Sequence, residues 1–272
     1  LPSEAQEFAG SSVLGTGSWT KFAVMEAGVY RLSYSSIREM GIANPAEAVL
    51  YGNNHGQLSF INDGTAPDDL RQIRVMIEKG SDGVFNEGDY LLFYAEGTHR
   101  WRYDPESRDY RFIRHNYSDT AWYFITSRPS GPLLIDAETA PSEPYTSLST
   151  ATDVMMRHEH EEVNLIRSGR EWYQQVAPGV QVSVGPVFTD LSITERIRYS
   201  ARLLGRSDNT ASFTLRQGAV DLKTVTVAPV NMTDVNGIYA ETVTLTDSVL
   251  PASSPPSFTI TFSSGGNMAA TG

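Results

Sequence analysis

The sequence predicts an all-β protein made of two antiparallel β-sandwich or jelly-roll-like domains, with one or two short helices. Short segments that alternate apolar and polar residues, rich in Val, Ile, Thr, Tyr and Phe, recur along the whole chain. Gly, Asn, Asp and Pro separate these segments, as is typical of β-turns. The 272 residues are enough for two domains, each with a sizeable core.

The strands of the first half are predicted from period-two alternation. Residues 19–34 predict two short strands around a turn at residues 26–28. The side chains expected to face inward are Phe22, Val24, Val29 and Tyr30. A third strand is expected to end at Gly52, and the strands after it are expected over residues 73–80, 89–97 and 120–126. The strands at 73–80 and 89–97 are predicted to pair across the loop between them.

One short helix is predicted between these strands, over residues 35–42. Ser35 or Ser36 can cap its N-terminus, and Glu39 can complete a capping box. Gly41 is expected to end the helix, because glycine tolerates the left-handed conformation that follows many helix C-termini.

A change in composition predicts the boundary between two domains near residues 145–152. Residues 128–152 are rich in Pro, Ser and Thr, and proline cannot donate a hydrogen bond within a sheet. We expect an N-terminal extension over 1–18, a first β domain over 19–148 and a second β-sandwich domain over 149–272. The strands expected in the second domain cover residues 193–204, 211–218, 223–230, 238–246 and 257–266. No return strand follows the last of these, so we expect this domain to be truncated at its C-terminal end.

Charge and composition exclude several classes of protein. A net charge of −11 repels the phosphates of nucleic acids, so no nucleic-acid partner is expected. The chain has no cysteine, which excludes thiol nucleophiles, disulfides and thiolate metal sites. No run approaches the roughly 20 apolar residues of a transmembrane helix. The first residues lack the features of a signal peptide, which we expect to have been removed.

The segment DGVFNEGDYLLFYAEG, residues 82–97, offers two interpretations. The oxygen-bearing side chains that could bind calcium are Asp82, Asn86, Glu87 and Asp89. The spacing differs from that of an EF-hand, because the twelfth position from Asp82 is Phe93 rather than glutamate. The alternative is a hairpin connection in which Asp and Asn side chains bond to their own backbone. No other cofactor is expected.

A second possible metal site is the segment RHEHEEV, residues 157–163, which is expected to form a strand. Period-two alternation would place His158, His160 and Glu162 on one face, where they could bind zinc. The alternative is a solvated strand face, since the spacing matches no helical zinc motif. No serine lies in a G-x-S-x-G elbow, and no nucleophile can be paired with a base.

Aromatic residues provide the best signal for a non-catalytic function. A partner or glycan surface is predicted at Trp101, Tyr103, Tyr110 and Phe112. On a β surface, such residues stack on sugars or contact a partner chain, and the alternative is that they belong to a buried core.

Six segments, taken in order and spacing, resemble the N-terminal region of the type IX secretion system sortase, a gingipain-like cysteine peptidase family of Bacteroidetes. These segments are GVYRLSYSSIREMGI (28–42), VLYGNNHGQL (49–58), DGVFNEGDYLLFYAEG (82–97), HRWRYD (99–104), HNYSDTAWYFI (115–125) and GREWYQQ (169–175). The resemblance covers most of residues 19–175 and is weaker in the later strands.

The resemblance implies a secreted parent protein that acts at the cell surface, on the outer membrane. Family members remove the C-terminal targeting domain from exported cargo and can join the new end to a surface glycolipid. They use a Cys–His dyad in a caspase-like domain downstream of the β region. The present 272 residues contain neither that domain nor a cysteine. We therefore assign no catalytic residue here. The parent is expected to be a cysteine endopeptidase or transpeptidase.

Two functions from different classes follow. The first is an accessory region that scaffolds, covers or docks the downstream catalytic domain, with an outer-membrane β-barrel and exported cargo as further partners. The second is a stand-alone secreted module that binds carbohydrate or acts as an adhesin, which would use the aromatic residues. The two differ in whether a catalytic domain follows in the gene and in whether the aromatic side chains are exposed.

Overall fold

The computed structural model describes residues 9–53, 56–58, 60–61, 66–138, 145–166, 169, 171–185, 190–266 and 272. The chain divides into two compact units, Leu1–Thr152 and Asp153–Gly272. The all-β fold class is confirmed, since antiparallel sheets make up both units. The described helices are α1 (Tyr34–Glu39) and two 3-10 helices, Val13–Gly15 and Pro45–Glu47. None of the helices in these residues is long and apolar enough to span a membrane.

The first unit contains two larger sheets and one small sheet. Its strands are β1 (Thr20–Val24), β2 (Gly28–Ser33), β3 (Ala48–Gly52), β4 (Arg71–Gln72), β5 (Val75–Glu78), β6 (Tyr90–Ala95), β7 (Arg100–Asp104), β8 (Asp109–Ile113) and β9 (Ala121–Ser127). The larger sheets have the strand orders β1-β9-β3-β4 and β2-β6-β5, and β7 pairs with β8 alone. The predicted hairpin of the 73–80 and 89–97 segments is confirmed, because Val75 pairs with Phe93 and Glu78 with Tyr90.

The core of the first unit lies between its two larger sheets. Phe93 of β6 has its ring 6.0 Å from Phe22 of β1 and 6.0 Å from Tyr123 of β9. Phe93 and Tyr123 are each 1% exposed, so these rings close the space between the sheets. Edge-to-face and tilted rings at this separation add to the free energy gained from burial.

Two local predictions about the first unit are wrong. Val29 was expected to face inward with Tyr30, but it is 69% exposed, because neighbouring residues of a strand point to opposite faces. Helix α1 begins at Tyr34, one residue before its predicted start, so neither Ser35 nor Ser36 is its N-cap and Glu39 does not complete a capping box. Its N-cap is Ser33, whose side chain accepts a hydrogen bond from the backbone N–H of Ser36. Gly41 follows the helix with φ of +89°, as predicted.

The second unit is a sandwich of a four-stranded and a two-stranded sheet. Its strands are β10 (Gln181–Val184), β11 (Ile197–Gly205), β12 (Ala211–Gln217), β13 (Val220–Val227), β14 (Glu241–Val249) and β15 (Phe258–Ser263). The orders are β10-β15-β12-β13 and β11-β14. Phe213 and Phe262, with ring centroids 4.7 Å apart, lie in its core, and Leu203 of β11 packs against this cluster. All five predicted strands of this half are present.

The strand predicted over residues 157–163 is wrong. Residues 157–162 adopt no regular structure, and Val163 forms an isolated antiparallel bridge with Tyr173. Strand β10 was not predicted, because its four residues are too short to give an alternation signal.

Candidate functional site

The predicted aromatic residues lie on a two-stranded sheet, formed by β7 and β8, that pairs with no other described strand. We call this hairpin the arm. Trp101 is opposite Phe112 in the register, and Tyr103 is opposite Tyr110. Because side chains alternate along a strand, both pairs lie on one face of the arm, which we call the aromatic face.

The rings of the aromatic face contact each other edge to face and stay partly open to solvent. The ring centroids are 5.2 Å apart for Trp101 and Phe112, and 5.3 Å apart for Tyr103 and Tyr110. Tyr103 is 49% exposed and Tyr110 46% exposed, whereas Trp101 and Phe112 are half-buried. The structure therefore brings the four predicted residues together, and the two tyrosines at the tip are the most accessible.

The opposite face of the arm is basic. Arg102 lies directly across from Arg111, and Arg100 lies on the same face. Arg111 forms an ion pair of 2.6 Å with Asp104, while Arg102 has no ion pair with any described residue. Like charges directly opposite each other destabilise a strand pair. Arg100 also lies 3.9 Å from Oε2 of Glu96, so two of the three arginines on this face have an acidic partner among the described residues.

The tip of the arm is fixed by Asp104, which caps the turn that joins the strands. Its carboxylate accepts hydrogen bonds from the Ser107 hydroxyl and the Glu106 backbone N–H. These bonds, followed by the charge of Arg111, hold the pKa of Asp104 below its ordinary value. Arg108 closes the turn with φ of 51°, in the left-handed region.

The base of the arm is fixed by His99. Its Nδ1 accepts a hydrogen bond of 3.0 Å from the His115 backbone N–H, and its Nε2 lies 3.1 Å from Oδ1 of Asp119. Nε2 must therefore carry the proton of the neutral ring and donate it to Asp119. The imidazole also lies 5.7 Å from the ring of Phe112. Because both ring nitrogens are engaged, His99 positions the arm and has no lone pair left to act as a base.

The loop between β5 and β6 is held by Asp89, which is 9% exposed. Its Oδ1 accepts a hydrogen bond of 2.9 Å from the Gly80 N–H, and its Oδ2 accepts one of 2.8 Å from the Asn86 N–H. The Asp89 carbonyl in turn accepts the backbone N–H of Tyr34, at the start of α1. Asp89 thus connects both ends of the loop to the helix.

Asp82 makes a second set of bonds within the same loop. Its Oδ1 accepts the Val84 N–H at 2.9 Å, and its Oδ2 accepts the Asn86 amide at 2.8 Å. The Val84 bond, and then the Asn86 bond, lower the pKa of Asp82. Glu87 is exposed. The hairpin interpretation accounts for these contacts, and calcium binding by Asp82, Asn86, Glu87 and Asp89 stays a prediction.

The second possible metal site keeps its two histidines together. The rings of His158 and His160 are stacked, with centroids 4.6 Å apart. Nε2 of His158 lies 2.7 Å from Oε1 of Gln174, and Nδ1 of His160 lies 3.9 Å from Oε1 of Glu162. Across the described part of the chain, no three His, Asp or Glu side chains are grouped so that they could hold a metal ion.

Sequence reasoning identified the aromatic residues but missed the hairpin that carries them. The signal is the alternation of aromatic residues and arginine in RWRY and YRF, on either side of a turn that contains Pro105. Arginine at the outward positions obscures the pattern, because strand prediction weights apolar and β-branched residues.

No protein-family model matches the sequence. No curated protein matches it either. Among solved structures, the crystal structure of dimeric latent PorU from Porphyromonas gingivalis is similar to this chain, with a TM-score of 0.75 and 20% sequence identity. The similarity covers 96% of this chain and 24% of that chain, so this chain spans about a quarter of the length of the PorU structure. Nearly the whole chain therefore shares the fold of one region of PorU.

Proposed function

We propose that this chain is a non-catalytic accessory β region of a PorU-like sortase of the type IX secretion system. The observation that supports this proposal is the fold similarity, which extends over both units and covers 96% of the chain. In this proposal the cysteine peptidase chemistry belongs to other parts of a larger protein on the cell surface. The present region scaffolds, covers or docks that catalytic domain.

The chemistry of the side chains supports a non-catalytic role. The 272 residues include no cysteine, so they cannot supply a thiolate nucleophile. His99 has the carboxylate partner of a catalytic histidine in Asp119, yet its other ring nitrogen accepts the His115 N–H. A general base needs a free lone pair within reach of the proton that it removes. We expect the purified chain to cleave no peptide, and measurable turnover would contradict the proposal.

The arm is the surface that we propose for docking. A two-stranded hairpin is at best marginally stable in water, so an arm that pairs with no other described strand gains stability when a partner covers its aromatic face. The tip tyrosines, each almost half exposed, offer rigid contact area at low cost in side-chain entropy. We assign the catalytic part of the parent protein as the partner of this face.

The test is binding between this chain and the rest of the parent protein, produced as a separate polypeptide from the complete gene. The double variant Tyr103→Ser/Tyr110→Ser should bind at least about tenfold more weakly, because it removes both tip rings. Tyr117→Ser is the matched control, since Tyr117 is an exposed tyrosine outside the arm and 70% exposed. Equal affinities of both variants would contradict docking through the aromatic face.

The complete gene tests the proposal separately. A caspase-like domain with paired His and Cys is expected downstream of these residues. If the gene encodes no such domain, and a glycan array shows binding that the Tyr103→Ser/Tyr110→Ser variant loses, the stand-alone carbohydrate-binding module replaces the accessory region.

A further inference from the structure

A groove of about 350 Å³ lies on the first unit, and none of its described lining residues belongs to the arm. This volume is within the range of ligand-binding clefts. The described residues that line it are Gly52, Asn53, Arg71, Gln72, Ile73, Arg74, Tyr94 and Ile135. They come from the end of β3, from β4 and the residues after it, from β6, and from the segment that follows β9.

One wall of the groove is the free edge of β4. Gly52 is opposite Arg71 in the register, and Ile73 donates its N–H to the carbonyl of Leu50 at 2.8 Å. In an antiparallel pair, alternate residues direct their backbone groups toward the partner strand. Gln72 lies between two such residues, so its N–H and C=O point away from β3. Among the described residues β4 is the last strand of its sheet, so these groups face away from every described strand and can pair with another chain.

The other wall is apolar. Residues 133–135 run along the edge of β5, where Val75 donates its N–H to Leu133 and accepts the N–H of Ile135, both at 2.9 Å. This contact fixes Ile135 at the edge of β5, and Ile135 and Tyr94 both line the groove. Ile135 is 51% exposed and Tyr94 50% exposed, so both present apolar surface that a ligand can cover.

The charged residues of the groove are arginines. Arg74 donates to the carbonyl of Leu134 at 2.7 Å and pairs with the exposed Asp136 at 3.1 Å. Arg71 is exposed and forms no ion pair with a described residue. The lining residues that the structure describes include no Asp or Glu, although the chain has 32 acidic and 21 basic residues. The groove therefore favours an anionic ligand.

We propose that this groove binds an extended peptide that carries a carboxylate. The peptide backbone pairs with Gln72 at the free edge of β4, which is the geometry of strand addition. The carboxylate, from an acidic side chain or from a chain end, binds the guanidinium group of Arg71. An apolar side chain of the peptide covers Tyr94 and Ile135. The inference concerns a different surface from the arm and does not depend on the proposed function.

The test uses the whole chain and the peptide Thr-Val-Thr-Val-Glu, labelled at its N-terminus with a neutral fluorophore. Four forms are compared, with Glu or Gln as the last residue and with a C-terminal acid or amide. Forms that carry a carboxylate should bind at least about tenfold more tightly than the form with none, since the charge-assisted bond to Arg71 is lost there. The ranking of the two singly charged forms identifies the source of the carboxylate. Equal affinity of all four forms, or no binding at about 1 mM, would overturn the proposal.

Three variants of the chain test the geometry. Arg71→Glu should lose about tenfold or more in affinity for the charged forms, while Arg38→Glu on the exposed side of α1 makes the same change in net charge and should lose nothing. Gln72→Pro removes the backbone N–H at the free edge and should weaken all four forms. Thermal unfolding checks that each variant is folded. If Gln72→Pro does not fold, the comparison of Arg71→Glu with Arg38→Glu decides, and equal binding by those two variants contradicts the proposal.

Discussion

Gly52 lies so close to the ring of Tyr123 that a Cβ atom at residue 52 would come within 2.6 Å of Cδ1 of the tyrosine. The register explains this contact, because Tyr51 is opposite Phe124 and the next pair brings Gly52 to Tyr123. Glycine at the end of β3 therefore makes room for the largest fully buried side chain of the core. Within a strand, glycine often marks such a close approach.

We expect Gly52→Ala to destabilise the first unit by about 1–3 kcal/mol, the usual cost of inserting a methyl group into a packed core. The ring of Tyr123 has to move, and its other neighbours are Phe22 and Phe93. Urea unfolding measures the change. Gly28→Ala in β2 is the control, since a Cβ there has no neighbour within 4 Å. Equal stability of the two variants would show that the ring moves at no cost.

Because the hydroxyl of Tyr123 is buried, we expect the folded state to lose stability at alkaline pH. The hydroxyl donates a hydrogen bond of 2.8 Å to the carbonyl of Glu96, and burial raises the pKa of Tyr123 from 10.0 to about 12. As pH rises, the unfolded chain loses the Tyr123 proton before the folded chain does. The contribution of this hydroxyl to the free energy of unfolding is therefore fully present below about pH 10 and is lost as pH rises toward 12. Tyr123→Phe should cost about 1 kcal/mol at neutral pH. Between pH 10 and 11 the free energy of unfolding of this variant, measured by urea titration, should fall less than that of the native chain. Equal declines in the two proteins would contradict the role of the Tyr123 hydroxyl.

Local patterns predicted most strands, but long-range pairing decided how they assemble. The period-two signal located β5, β6, β9 and the five long strands of the second unit. It could not show that β1 pairs with β9, where Thr20 meets Ile125, or that β2 belongs to the other sheet. Those pairings depend on which apolar faces meet across the core, and this information is spread over about 100 residues of sequence.

The same limit applies to the candidate site. The sequence shows that aromatic residues cluster between residues 101 and 112. Which of them share a face of the sheet depends on the register of the two strands, which the sequence alone does not give. The groove beside β4 gave no sequence signal at all. Arg71 and Ile135 are distant in the chain, and the short β4 becomes an edge through its pairing with β3.

The loop that Asp89 holds gives a prediction for stability. Asp89→Ala leaves the N–H groups of Gly80 and Asn86 without their acceptor, which should cost about 1–3 kcal/mol for each group that stays buried. Asp89→Asn retains one oxygen acceptor and should cost less. Chemical denaturation of both variants measures the difference, with Glu87→Ala as the control at an exposed position of the same loop. If Glu87→Ala is as damaging as Asp89→Ala, the Asp89 hydrogen bonds are not what holds the loop.

Calcium distinguishes the two interpretations of this loop. A ligand that binds the folded state raises its unfolding temperature by mass action. If Asp82 and Asp89 only accept hydrogen bonds from their own loop, millimolar calcium has no site and should leave the unfolding temperature unchanged. The measurement is a thermal melt with calcium and with a chelator. A rise that Asp82→Asn abolishes would establish the calcium site and reject the hairpin interpretation.

The arginines on the basic face of the arm predict that the hairpin can be stabilised. Arg102 lies opposite Arg111, and replacing it by glutamate turns a repulsive cross-strand pair into an attractive one, worth roughly 0.2–1 kcal/mol. Hydrogen exchange of the backbone amides of β7 and β8 should therefore slow by up to about fivefold in Arg102→Glu. Arg102→Gln removes the repulsion without adding attraction, so its exchange rate should lie between those of the native chain and Arg102→Glu. Faster exchange in Arg102→Glu than in the native chain would mean that Arg102 stabilises the arm through its alkyl chain rather than opposing it through its charge.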